Sequence, residues 1–207
     1  MIEKFNLVLT GVGGQGVLTL SRIIALSALS MGYKVRVGET LGMSQRGGIV
    51  QSYIKFGTKV SSPLIEIKSA DALISLDYIE ALRAIKFIFK KTKVIVNSNT
   101  IPPISTLLGI EKLPSLLEVK SILSRASDEI YFIDANKLAI KAGLIASINI
   151  VMLGAFSAIF KDLFDRKVIM NSIAKIIPKR FLDANLKAFE YGFNFIENSK
   201  SSILKMH

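Results

Sequence analysis

Two clusters near the amino terminus carry the groups best suited to chemistry. Gly11-Val12-Gly13-Gly14-Gln15-Gly16 fits G-x-G-x-x-G directly after the apolar run Phe5–Thr10. Glycines let the backbone turn tightly and approach a ligand, and the N-terminus of a following helix favours an anion. Glu39, at the end of the next expected strand, offers a carboxylate for a ribose hydroxyl, as a dinucleotide site requires. The same glycines would also serve tight strand–helix packing with no ligand at all. The second cluster is Ser44-Gln45-Arg46-Gly47-Gly48. Arg46 supplies a rigid cationic fork, Ser44 and Gln45 offer a hydroxyl and an amide, and Gly47 and Gly48 permit backbone shapes that other residues avoid. Such a loop holds an anion or a partner, or is held by its own hydrogen bonds.

The elements around these clusters predict an open, mostly parallel Rossmann-like α/β sheet. Phe5–Thr10 reads as a strand, Val17–Met31 as a helix stopped at Gly32, and Tyr33–Glu39 as a second strand, together a βαβ unit. Ile49–Phe56 is a further strand. Ala72–Leu76, Lys93–Val96 and Glu129–Asp134 read as strands, with helices over Tyr78–Phe89 and Glu118–Ala126. Ile101–Pro114 is a proline-rich loop. From Ala135 helical periodicity dominates, with breaks near Gly143 and Pro178. The expectation is one domain over 1–207, an α/β portion at 1–134 and a helical portion at 135–207. In open α/β sheets ligands bind outside the carboxyl ends of the strands, which is where both clusters fall.

Composition removes several classes of function. The chain of 207 residues has no cysteine, and its one histidine is the terminal His207, expected to fray. Thiolate-held iron–sulfur clusters, disulfides and thiol nucleophiles are thereby excluded. The formal charge is +11, yet the basic residues are scattered and no nucleic-acid motif accompanies them, so a solvated lysine-rich surface is expected. Ala142–Phe160 is free of charge and long enough to span a bilayer. Gly143, Ser147, Asn149, Gly154 and Ser157 dilute it, so a helix buried in the core or under a partner is expected instead. No secretory signal pattern opens the chain, which gives a cytoplasmic expectation.

"GVGGQGV" after the first strand, with "VRVGETLGMSQRGGIVQSYIKFG" beyond it, resembles the gamma-type subunit of 2-oxoacid:ferredoxin oxidoreductases, most closely the beta subunit of the indolepyruvate type. "FIDANKLAIKAG", "NIVMLGAFSA" and "NLKAFEYGF" extend the resemblance over nearly the whole chain, with a departure at "AGLIASINI". The resemblance implies a heteromeric enzyme that oxidatively decarboxylates a 2-oxoacid with thiamine diphosphate and magnesium, iron–sulfur clusters and coenzyme A, passing electrons to ferredoxin. The G-D-G…N-N pattern of thiamine enzymes is absent here. The resemblance therefore places cofactors on a larger alpha subunit and leaves this chain to complete the site, inactive alone. Arg46 would meet a substrate carboxylate, a coenzyme A phosphate or a partner carboxylate. Two other readings stand beside this one: an independent NAD- or FAD-binding oxidoreductase, and a non-catalytic binding or scaffolding protein.

Overall fold

The computed structural model describes residues 2–41, 48–103, 106 and 108–204, with the side chains at 41 and 200–204 outside that description. Six strands form one sheet: β1 (Phe5–Val12), β2 (Lys34–Leu41), β3 (Ile49–Gly57), β4 (Ala72–Ser75), β5 (Lys93–Asn97) and β6 (Glu129–Ile133). Their spatial order is β2-β3-β1-β4-β5-β6. The pairs β1–β4, β4–β5 and β5–β6 are parallel. β3 runs antiparallel to both of its neighbours. The expected βαβ unit is present, with β1 and β2 pointing the same way, but β3 is inserted between them.

Seven α-helices accompany the sheet among the described residues: α1 (Val17–Ser30), α2 (Tyr78–Arg83), α3 (Leu116–Ala126), α4 (Ala135–Lys141), α5 (Ile148–Ile159), α6 (Arg166–Ile176) and α7 (Lys179–Leu204). Along β1, Phe5, Leu7 and Leu9 join one core with residues of α1, α5, α6 and α7. Val8 points to the other face and joins a second core with Ile79 and Ala81 of α2 and Val119 and Leu123 of α3. With helices on both faces, every residue of β1 is buried, as a central strand of such a sheet requires.

Helix boundaries follow local chemistry. Gly32, at φ +82°, ends α1. Ser115 and Glu118 form a reciprocal capping box that starts α3 two residues before the sequence periodicity predicts. The helix expected over Tyr78–Phe89 is cut short: α2 stops at Arg83 and a 3-10 turn at Ile85–Phe87 follows. That tighter turn delivers Phe87 and Ile88 into the second core, so tertiary packing overrides propensity. The charge-free segment is likewise not continuous. Gly143 at φ +92° and a 3-10 turn at Ile145–Ser147 precede α5, in which every residue from Asn149 onward is buried. Among the described residues no helix is long and apolar enough to cross a membrane.

α5 and α7 pack backbone against backbone. A Cβ built on Gly154 would stand 2.0 Å from the Phe189 carbonyl oxygen, and one on Gly192 would stand 1.9 Å from that of Val151. Gly154, one of the residues that dilute the charge-free segment, is thus one of the two glycines that let α5 and α7 touch.

Candidate functional site

Connections leave β1 over one face through α1 and leave β4 over the other through α2, so the sheet's switch point lies between the carboxyl ends of β1 and β4. The glycine turn sits there. Gly14 (φ +101°) and Gly16 (φ +87°) both take left-handed backbone, and Gly16 caps α1 without any side-chain acceptor. Gln15 folds back onto the turn: its amide oxygen accepts from Val12 N–H at 2.8 Å, and its own N–H donates to the Val12 carbonyl at 3.0 Å. Gly11 makes room for that side chain, since a Cβ on Gly11 would come within 2.8 Å of Gln15 Oε1.

Among the described residues the two sequence clusters meet at Gly13 and Gly48. Gly13 N–H donates to the Gly48 carbonyl at 2.8 Å, immediately beyond the last β1–β3 pair, Val12 with Ile49. Ser44, Gln45, Arg46 and Gly47 lie outside the described residues, as does His207. Gly48 is half-buried at the foot of their segment. Glu39 is exposed on β2 and pairs with Ser52 of β3, so a whole strand separates it from β1 and the glycine turn. A dinucleotide fingerprint uses an acidic residue near the glycine turn.

Two features of this edge escape sequence reading. Asn149, buried near the start of α5, donates Nδ2–H to the Gly16 carbonyl at 3.1 Å, tying the helical region to the turn. A polar network also lines the carboxyl ends of β4, β5 and β6. Asp77 is fully buried and accepts from Ile79 N–H, Thr100 Oγ1–H and Ile101 N–H, each at 2.8 Å. It caps α2 and holds the segment after β5. Asn97 donates to the Leu76 carbonyl and to Asn136 Oδ1, each at 3.0 Å, and Asn99 donates to Asp134 Oδ1 at 2.9 Å. Asp77 followed three residues later by Glu80, right after an apolar strand, is a helix-start pattern that could have found Asp77.

Two titrating groups on α2 are shifted. Burial pushes the Glu80 carboxyl up against the pull of the Arg83 guanidinium, whose Nε lies 3.0 Å from Oε1; Oε2 is buried without a hydrogen-bond partner. Burial and the adjacent Asp77 carboxylate push the Tyr78 phenol up. Among the described residues no three His, Cys, Asp or Glu side chains are grouped to hold a metal. The cysteine-free chain has no thiolate for an iron–sulfur cluster, so that group does not fit its donors.

Residues 6–195 match the family model described as pyruvate ferredoxin/flavodoxin oxidoreductase. The chain is 38% identical over 192 residues to indolepyruvate oxidoreductase subunit IorB of Pyrococcus horikoshii, covering 92% of this chain and 95% of that protein. It is 34% identical to the IorB subunit of Methanothermobacter thermautotrophicus, covering 92% and 96%. The fold is shared with the keto/oxoacid ferredoxin oxidoreductase gamma subunit of Geobacter sulfurreducens (TM-score 0.69, 20% identity, 94% of this chain and 99% of that one). It is shared equally with part of the 2-oxoglutarate:ferredoxin oxidoreductase of Magnetococcus marinus (TM-score 0.73, 17% identity, 96% of this chain and 32% of that one). With a family match spanning the sheet and most of the helices, this chain belongs to the pyruvate ferredoxin/flavodoxin oxidoreductase family.

Proposed function

We propose that this chain is the non-cluster subunit of a heteromeric 2-oxoacid:ferredoxin oxidoreductase acting on indolepyruvate or a related arylpyruvate. The observation that carries the reading is the correspondence with IorB subunits over most of both chains, with 95% of the Pyrococcus horikoshii protein matched. The residue chemistry agrees. With no cysteine to ligate a cluster, the electron-transfer groups belong on a larger alpha subunit. Thiamine diphosphate with magnesium sits there too, and ferredoxin takes the electrons. This chain contributes the edge where the glycine turn and Gly48 meet. Arg46, two residues before Gly48 in the sequence, supplies the guanidinium for an anion of substrate, coenzyme A or partner, because its planar fork suits carboxylate and phosphate. The complex works in the cytoplasm. The separation of Glu39 from the glycine turn by β3 gives the independent dinucleotide enzyme no support.

Co-expression with a candidate alpha subunit tests the reading. The purified complex should reduce ferredoxin, or a viologen dye, when given indolepyruvate and coenzyme A, while this chain alone should be colourless and inactive. Comparing indolepyruvate, phenylpyruvate and pyruvate fixes the substrate class. An alpha subunit that never co-purifies with this chain, and turns over equally without it, would sink the proposal.

A further inference from the structure

We propose that Gln15 is a positioning residue: its amide oxygen completes the end of β1 and fixes the glycine turn as the bracket that carries Gly48. The geometry explains why an amide stands at this place. Backbone groups two residues apart on a strand face the same neighbour. The Thr10 carbonyl accepts from Leu76 N–H on the β4 side at 2.9 Å. Val12 N–H, two residues on, faces that side too, but the β1–β4 pairing has already ended at Thr10 with Ser75. Gln15 Oε1 supplies the acceptor that β4 no longer provides. On the opposite side, Gly13 N–H takes the Gly48 carbonyl and extends the β1–β3 ladder.

Gly11 and Gly16 fit this assignment. Gly11 is small because Gln15 Oε1, Val17 Cγ2 and Leu76 Cβ all lie within 3.1 Å of where its Cβ would be. Gly16 is small because Asn149 Nδ2 lies 2.5 Å from its Cβ position. The N–H groups of Val12, Gly13 and Gln15 are all spent on protein acceptors. The turn therefore holds Gly48, and these three N–H groups are not left to bind a dinucleotide phosphate.

Amide hydrogen exchange on the full-length chain, in the form in which it purifies, tests this without any turnover assay. Gln15→Met keeps the side-chain length and removes the acceptor. It should speed exchange at Val12 and Gly13 about tenfold, the equivalent of one hydrogen bond, while the amides of Val94–Val96 in β5 stay unchanged. Gln15→Glu retains an acceptor and should preserve most of the protection; Gln15→Ala should behave like the Met variant. Added NAD+ or FAD should leave all these rates unaltered. Four results would each overturn the assignment: unchanged exchange in the Met and Ala variants, equal loss in the Glu variant, acceleration spread evenly through β5, or slowing of Gly13 exchange by either dinucleotide.

Discussion

Asn149 Nδ2 lies 3.1 Å from the carbonyl oxygen of Gly16, a contact made across 133 residues of chain. The same carbonyl accepts from Leu20 N–H at 3.0 Å, so one acceptor starts α1 and receives α5. The helical region is thereby registered on the glycine turn by a side chain, in addition to the apolar core that α5 shares with the sheet.

This pair should behave as a coupled unit. Asn149→Ala removes a buried donor but leaves Gly16 bonded to Leu20, and should cost about 1–2 kcal/mol. Gly16→Ala should cost more, because it adds left-handed strain of about 1–3 kcal/mol to a collision with Asn149. In the Asn149→Ala background the collision is relieved while the strain remains. The double variant should therefore be more stable than the sum of the singles predicts, as urea denaturation would show. Strict additivity would mean that the two residues do not meet.

Gly154→Ala and Gly192→Ala test the other close approach. In an exposed helix either change would stabilise by about 1 kcal/mol through propensity. Here each new methyl would fall about 2 Å from a backbone oxygen of the opposite helix, which no rotamer change can relieve. The helices must separate, and a loss of roughly 3 kcal/mol or more is expected in thermal or denaturant unfolding. A neutral or stabilising result at either position would contradict the packing of α5 on α7.

What was legible in the sequence, and what was not, divides by range. The strand–turn–helix at Phe5–Ser30 and the strand at Ile49–Gly57 follow from local apolar pattern and glycine placement. The insertion of β3 between β1 and β2 does not, because alternation along Ile49–Phe56 looks the same for either strand direction and any neighbour. Sequence periodicity predicts one helix over Tyr78–Phe89; the core that captures Phe87 and Ile88 is assembled from strands and helices distant in sequence. Asn149 reads locally as a polar residue diluting an apolar run. Its meaning appears only once Gly16 is beside it.

Glu80 should give a pH signature on stability. Its folded-state pKa is raised above the ordinary carboxylate value, mainly by burial. The folded protein therefore binds its proton more tightly than the unfolded chain does. No penalty is present well below the unfolded pKa, and a destabilising contribution grows as pH rises through the folded pKa. Glu80→Gln cannot ionise and lacks this contribution. Its stability relative to the native protein should thus improve as pH rises from the ordinary carboxylate range and level off above the folded-state pKa, measured by urea midpoints across that range. A stability difference independent of pH would show that the fold does not raise this carboxyl's pKa.

Arg46 is the decisive residue for the proposed role of the 42–48 segment, whose foot at Gly48 is fixed by Gly13. A guanidinium that meets an anion at a desolvated, shared site should be worth roughly 2–4 kcal/mol, or about 30- to 1000-fold. Arg46→Ala should leave this chain folded, with unfolding midpoints unchanged, yet impair the complex by that amount. Arg46→Lys should rescue only partly, because an ammonium cannot reproduce two parallel hydrogen bonds. Where the loss appears identifies the anion. A raised KM for coenzyme A alone points to its phosphates, and a raised KM for the 2-oxoacid alone points to the substrate carboxylate. Weaker binding of the alpha subunit with both KM values intact points to a partner carboxylate. Wild-type assembly and turnover in both variants would remove Arg46 from the site and leave Ser44–Gly48 as a structural loop.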